Sequence, residues 1–233
     1  MPRKRQIELN EATQQAIKDT ARQLMAEKGT AGLSLRAIAR NLEMTAPALY
    51  HYFSSLDDLI TALIVDAFTS HADYVQMSRD AAAQAGDSYS EQVFAAAIAF
   101  RQWVLDNPID FQLVYGNPIP GYKAPGEVTT PAARKMGPIF METLVAGIQS
   151  GDVQLSKPLL QAPPPIRRHY LEEIHIPDEA VDLFHTMNYV WATMHGIIAL
   201  EAYNHAGPVI GDVDTFYRQV LKELFSSLGL KLA

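Results

Sequence analysis

Two helix-start signals lie so close together between Ser34 and Phe53 that few folds accommodate both. Ser34 precedes Leu35, Ile38, Ala39 and Leu42 at helical spacing. A serine hydroxyl at that point accepts a hydrogen bond from a backbone N–H that the helix itself leaves unsatisfied. The run breaks at Glu43-Met44, and Thr45 then caps a further helix, expected over 45–53. Pro47 falls in its first turn, where a missing N–H loses no bond. Upstream, Ile17, Ala21, Leu24 and Met25 recur on one face of a helix read over 10–27, which Lys28-Gly29 stops. A helix followed by two short ones across a tight break is helix-turn-helix geometry.

The remainder continues in helices. Ser54-Ser55-Leu56-Asp57-Asp58 starts one that should run to about residue 80, with Leu56, Leu59, Ile60, Leu63, Ile64 and Phe68 as its stripe. Others are expected over 89–107, 131–149, 167–173, 177–204 and 213–228, with a short turn from Pro108 to Val114. Proline and glycine mark 115–130 as a loop, and prolines mark 156–166 as a second break. No segment alternates as a strand does. The expected fold is all-α: a three-helix DNA-binding domain over 1–55 and a larger helical effector-binding and dimerisation domain over 56–233.

Charge supports that division. The net charge of −7 argues against nucleic acid until it is mapped. Residues 1–53 hold eight Lys/Arg against five Asp/Glu, whereas the rest hold 11 against 21. The positive surplus is thus confined to the end that would meet phosphate. Cysteine is absent, which excludes disulfides, thiolate metal sites and a cysteine nucleophile. No apolar run reaches membrane-spanning length, and no hydrophobic stretch follows the basic Met1-Pro2-Arg3-Lys4-Arg5. The expected location is the cytoplasm, without membrane contact. Arg3-Lys4-Arg5 reads either as an arm touching DNA or as a frayed basic start.

A recognition helix needs one face bonded into a small core and one left for base edges. Ala48, Leu49 and Phe53 are placed to pack inward, with Thr45, Ala46, Tyr50 and His51 outside. The set expected at DNA is Ser34, Leu35, Arg36, Thr45, Ala46, Pro47, Ala48, Tyr50 and His51, with Arg36 and Arg40 on the backbone-crossing side. The small side chains Thr45, Ala46 and Pro47 cannot make a bidentate guanine contact but suit thymine methyls. Glu27-Lys28-Gly29, Ile38-Ala39 and Leu49-Tyr50-His51-Tyr52-Phe53 closely resemble the DNA-binding domain of the TetR family, over residues 10–65. That resemblance implies a dimer on a palindromic operator. It also implies repression relieved by a small effector, which moves the helix beginning near Leu59. One departure is Leu56, which stands where the family usually carries a phosphate-contacting lysine.

Behind the head, Phe100, Trp103, Phe111, Tyr115, Phe140, Met141, Met187, Tyr189, Trp191 and His195 lie on separate helices. They could converge on an apolar or aromatic ligand, or they could be plain core. Of these, all but Tyr189 are the expected ligand-binding set, with the 115–131 loop as mouth or lid. Trp191-Ala-Thr-Met-His195-Gly196 resembles the Trp-His-Gly signature of one TetR subclass, which implies a place near the subunit interface and the effector cavity. Gly196 would let helices approach closely. Tyr189, Val190, Ile197, Leu200, Phe216, Val220, Leu224 and Phe225 offer apolar faces for a four-helix dimer interface. No nucleophile elbow, phosphate loop, dinucleotide fingerprint or His-Glu-x-x-His motif occurs, so no catalytic residue and no cofactor are expected. Two rivals remain. One is a helical enzyme with a metal at Asp182 and His185, on one helix face near His175 and Asp178. The other is a DNA-binding architectural protein that senses nothing.

Overall fold

A computed structural model of the chain describes residues 2–155 and 160–232, with side chains from residue 9 onward except that of Ala31. Every regular element among the described residues is helical. The order begins with α1 (Pro2–Lys28), a 3-10 turn, α2 (Leu35–Asn41), α3 (Ala46–Tyr50), α4 (Leu56–Ala85), α5 (Tyr89–Asp106) and α6 (Pro108–Tyr115). It continues with α7 (Gly126–Ala133), α8 (Met136–Ser150), α9 (Pro164–Glu172), α10 (Val181–Ala202), α11 (Gly207–Ile210) and α12 (Val213–Ser227). Among the described residues no helix is long and apolar enough to cross a membrane.

Several helix ends differ from expectation. Helix α1 begins at Pro2, not residue 10, while the side chains of Arg3, Lys4 and Arg5 lie outside those described. Helix α3 stops at Tyr50 and leaves Phe53 in the following turn. The helix expected over 131–149 is two helices, and α7 starts inside the supposed loop. Pro131 sits within α7 and forfeits one intrahelical bond, to the carbonyl of Glu127, whose residue is exposed to water. Helix α9 takes in Pro164 and Pro165, which occupy a first turn where proline loses nothing. Of the break read over 156–166, residues 156–159 lie outside the described residues.

Packing divides the chain into two compact units. One runs through Ala72 and takes in Asn107–Lys135, so it holds α1 to α3, the first half of α4, α6 and α7. Its core joins Ile17, Ala21, Leu24, Leu35, Ile38, Leu49, Phe53, Leu59, Ile60, Leu63 and Leu113. A side chain buried as fully as Leu49 contributes about 1.5–3 kcal/mol. Polar ties reinforce it: Arg22 Nε donates to both carboxylate oxygens of Asp110, at 2.9 and 3.1 Å, and Lys18 Nζ meets Asp66 at 2.7 Å. Helix α1 is thereby fastened to α6 and to α4.

The other unit comprises Asp73–Asp106 and the residues from Met136 onward. Helices α5 and α8 pack together, as do α5, α10 and α12 with one another. Gly147 permits the first approach, since a Cβ there would lie 2.7 Å from Val153 and 2.8 Å from Tyr89. Phe100, Trp103, Val190, Ile198, Tyr217 and Leu221 are buried among the core residues. Arg101 is buried too, gripping Glu201 through two bonds of 2.6 Å and Asp214 through a third of 2.6 Å.

Candidate nucleic-acid interface

The head forms from short-range chemistry. Ser34 and Thr45 are both in extended conformation, and each side chain caps its helix. Ala37 N–H donates to Ser34 Oγ at 3.1 Å, and Ala48 N–H to Thr45 Oγ1 at 3.3 Å. Between the two helices Glu43 takes a φ of 53°, in the left-handed region that a non-glycine residue seldom adopts. That one residue makes the turn tight, and Met44 N–H closes it onto the carbonyl of Ala39 at 2.9 Å.

Around this corner Ser34, Arg36, Arg40, Asn41, Glu43, Thr45, Pro47, Ala48, Tyr50 and His51 are exposed, with Ala46 half-buried. Among the described residues no ion pair engages Arg36 or Arg40. Two guanidiniums, a phenol and an imidazole therefore surround a patch of small side chains. Such an arrangement can neutralise phosphates at its margin and bring methyl-sized groups against base edges. Two expectations need correction. Leu35 is core, only 7% exposed, so its side chain is unavailable to DNA. Ala48 faces outward rather than inward, because the five-residue α3 turns only Leu49 into the core. Leu56 is half-buried against the head core, so an apolar contact replaces the lysine of the family pattern.

The nine expected ligand residues are divided between the two compact units. Phe111 and Tyr115 belong to the compact unit of the head, and the other seven to the second unit. Phe100 and Trp103 are core, Phe140 and Met141 are half-buried, and Trp191 is 44% exposed, its ring 5.3 Å from that of His195. Burial holds the His195 imidazole below its usual pKa. Met187 borders a pocket of about 10 Å³, room for no more than about one water. A Cβ added at Gly196 would meet nothing within 4 Å among the described residues. The expected interface faces are mixed as well: Tyr189, Leu200 and Phe216 are exposed, whereas Val190 and Phe225 are buried core.

A larger cavity lies within the first unit. It measures about 470 Å³ and is bordered by Ile64 and Phe68 of α4, Leu113 and Val114 of α6, Thr129, Thr130 and Ala133 of α7, and the intervening loop. None of the nine expected residues lines it, although Tyr115 meets the lining residue Phe68 edge-on at 5.9 Å. The proline- and glycine-rich segment after Tyr115 was the one signal in the sequence pointing there. The Asp182–His185 pair is otherwise engaged. Asp182 accepts from Ala162 N–H and Arg167, both at 3.1 Å, and His185 Nδ1 lies 3.4 Å from the Tyr170 hydroxyl. Among the described residues no group of three or more His, Cys, Asp or Glu is placed to hold a metal.

Comparison with known proteins bears on both parts of the chain. Residues 17–63 match the family model for bacterial regulatory proteins of the tetR family. Residues 93–224 match the model for a tetracyclin repressor-like C-terminal domain. An HTH-type transcriptional regulator of Mycobacterium tuberculosis is 39% identical over 195 residues, which cover 82% of this chain and 81% of that protein. A counterpart in Mycobacterium bovis shows the same figures. The crystal structure of regulatory protein SCO4313 superposes with a TM-score of 0.73 at 30% identity, covering 94% of this chain and 98% of the other. A tetR-family regulatory protein from Rhodococcus RHA1 has a TM-score of 0.60 at 15% identity, over 94% of this chain and 98% of its own. The last likeness concerns the fold alone.

Proposed function

Because the chain belongs to the TetR family of transcriptional regulators, we propose that it works as a dimeric repressor that leaves its operator when a small, largely apolar effector binds. The coarser part is settled by membership: this is a DNA-binding regulator of transcription and not an enzyme. The observation supporting the finer reading is the head corner, where Ser34, Arg36, Thr45, Pro47, Ala48, Tyr50 and His51 surround two capped helices on one buried core. In this reading Arg36, Tyr50 and His51 hold phosphates, and Thr45, Ala46, Pro47 and Ala48 face the bases. Thymine then sits near the centre of each half-site, and groove shape supplies much of the rest.

One α3 is too short to bind usefully alone, so two heads must reach successive major grooves roughly 34–36 Å apart. The exposed Tyr189, Trp191 and Leu200 of α10, Tyr203 just after it and Phe216 of α12 are large apolar groups for a single chain to leave in water. They support pairing of α10 and α12 across a two-fold axis. Open space over Gly196 leaves room for a partner helix there. A partner of this kind, operator DNA, fits work in the cytoplasm. Coupling on the order of 1–3 kcal/mol between effector and operator suffices, and it must be reciprocal.

The test is a gel shift with the DNA just upstream of the protein's own gene, followed by selection of sites from random duplexes. We expect a retained inverted repeat with thymine pairs near the half-site centres. Selected sites dominated by guanine pairs, or a single unrepeated half-site, would refute this account.

A further inference from the structure

We infer that Glu43, in the turn between α2 and α3, is an affinity-setting residue whose carboxylate holds down binding to DNA of every sequence alike. The inference rests on the corner around Ser34 and Thr45 being the face that meets DNA. Glu43 is the sole acid among the exposed residues of that corner. Among the described residues no hydrogen bond or ion pair engages its carboxylate. Arg40, three residues earlier, is likewise outside any ion pair, so the negative charge stands uncompensated.

Glutamate is also a costly choice for this turn. Its φ of 53° lies in the left-handed region, where a Cβ crowds the backbone and glycine or asparagine is at ease. The turn needs that conformation: Glu43 N–H reaches the Arg40 carbonyl at 3.4 Å, and Met44 N–H the Ala39 carbonyl at 2.9 Å. It does not need a carboxylate. Strained residues of this kind cluster at functional positions, and what glutamate adds over glycine here is charge.

The turn lies outside α3, two residues before its cap, so Glu43 is not carried into the groove with the helix. It is still close, because two residues of chain span at most about 7 Å. That is inside the roughly 8–10 Å over which a surface charge acts at ordinary salt. A duplex that meets Thr45 and Arg40 brings phosphates within this range whatever its sequence. Discrimination between sequences stays with Thr45, Ala46, Pro47 and Ala48. Nonspecific binding is almost wholly electrostatic, so the carboxylate limits how much of the protein other DNA retains.

Fluorescence anisotropy of the full chain tests this on two duplexes of about 30 bp, from about 50 to about 500 mM salt. One duplex is selected from a random pool by the wild type, and the other is a mixed sequence that selection rejects. Glu43→Gln should tighten both about threefold or more at low salt, by nearly equal factors, with the gain vanishing at high salt. Glu43→Lys, a change of two charges, should tighten them by about the square of that factor. Glu43→Gly removes the strain with the charge, so it should match Glu43→Gln on DNA and melt no lower than wild type. Glu142→Gln, at an exposed acid of α8 in the other compact unit, should change neither affinity by more than about 1.5-fold. A residue that only shapes the turn would move the melting temperature of the glycine variant and leave DNA binding unchanged in the glutamine and lysine variants, and that result would overturn the assignment. So would a shift of more than about threefold in the ratio between the duplexes, which would make Glu43 a reader of bases. Arg36→Gln is titrated alongside. If it weakens both duplexes while Glu43→Gln changes nothing, the corner stands and the Glu43 assignment alone falls. If neither variant moves affinity, or the wild type binds neither duplex, both fall.

Discussion

Ser34 and Thr45 each do two things: their hydroxyls are tied into capping bonds, yet the residues themselves remain on the exposed surface. Most of the charge on that surface comes from Arg36 and Arg40, since the family's lysine position is occupied by Leu56 packed on the head core. Arg36→Gln should therefore make the plot of log affinity against log salt shallower by about 0.9 per lost phosphate contact, or about two for a dimer. Fluorescence anisotropy on operator DNA at several salt concentrations reads this slope, and an unchanged slope would remove Arg36 from the interface. Caps and turns were legible in the sequence because they depend on three or four consecutive residues. The orientation of Ala48 and the burial of Leu35 were not, because the rotation of so short a helix is set by what packs behind it. The left-handed Glu43 gives no sequence signal at all, since that conformation is associated with glycine or asparagine.

At the level of elements, amphipathic helices from α4 onward were readable from their stripes, while ends near proline were misplaced. Pro131 looked like a helix start and lies inside α7, because a single missing bond beside water is tolerated. Contacts between distant elements had no local trace. Arg101 of α5 finds Glu201 and Asp214 a hundred or more residues away and lies 5.4 Å over the Tyr217 ring. Hydrogen bonding from Glu201 raises the pKa of this guanidinium, so it remains charged. Arg101→Met fits the volume but leaves the half-buried Glu201 carboxylate without its counter-charge. Urea unfolding should show a loss of about 3 kcal/mol, with most of it recovered on adding Glu201→Gln. A loss below about 1 kcal/mol would mean that the network is dispensable. Arg22 and Asp110 repeat the pattern in the head, where burial pushes the Asp110 carboxyl pKa up against the opposing pull of Arg22.

Across the whole molecule, the separation of charge and the all-helical class were legible in the sequence, whereas the division of the aromatic residues between two compact units was not. Aromatic residues at helical spacing look alike whether they line a cavity or fill a core, and only packing assigns Phe111 and Tyr115 to a different compact unit from Phe100 and Trp103. The proposed pairing of two chains belongs to this scale. Leu200 is 52% exposed, so Leu200→Arg should leave the folded chain intact, shift sedimentation toward the monomer and weaken operator binding at least about tenfold. A variant still dimeric at micromolar concentration would place the interface elsewhere. Helix α4 carries a different kind of consequence. It runs for 30 residues without a break, about 45 Å, with Leu59, Ile60, Leu63, Ile64 and Ala67 buried along its first half and Ala72, Val75 and Ala82 along its second. One residue inserted at its middle would rotate the second stripe by about 100° against the first. Across relatives, gaps and insertions should therefore gather in the segment between Gly116 and Pro125 and spare α4, whose length is as constrained as any side chain on it.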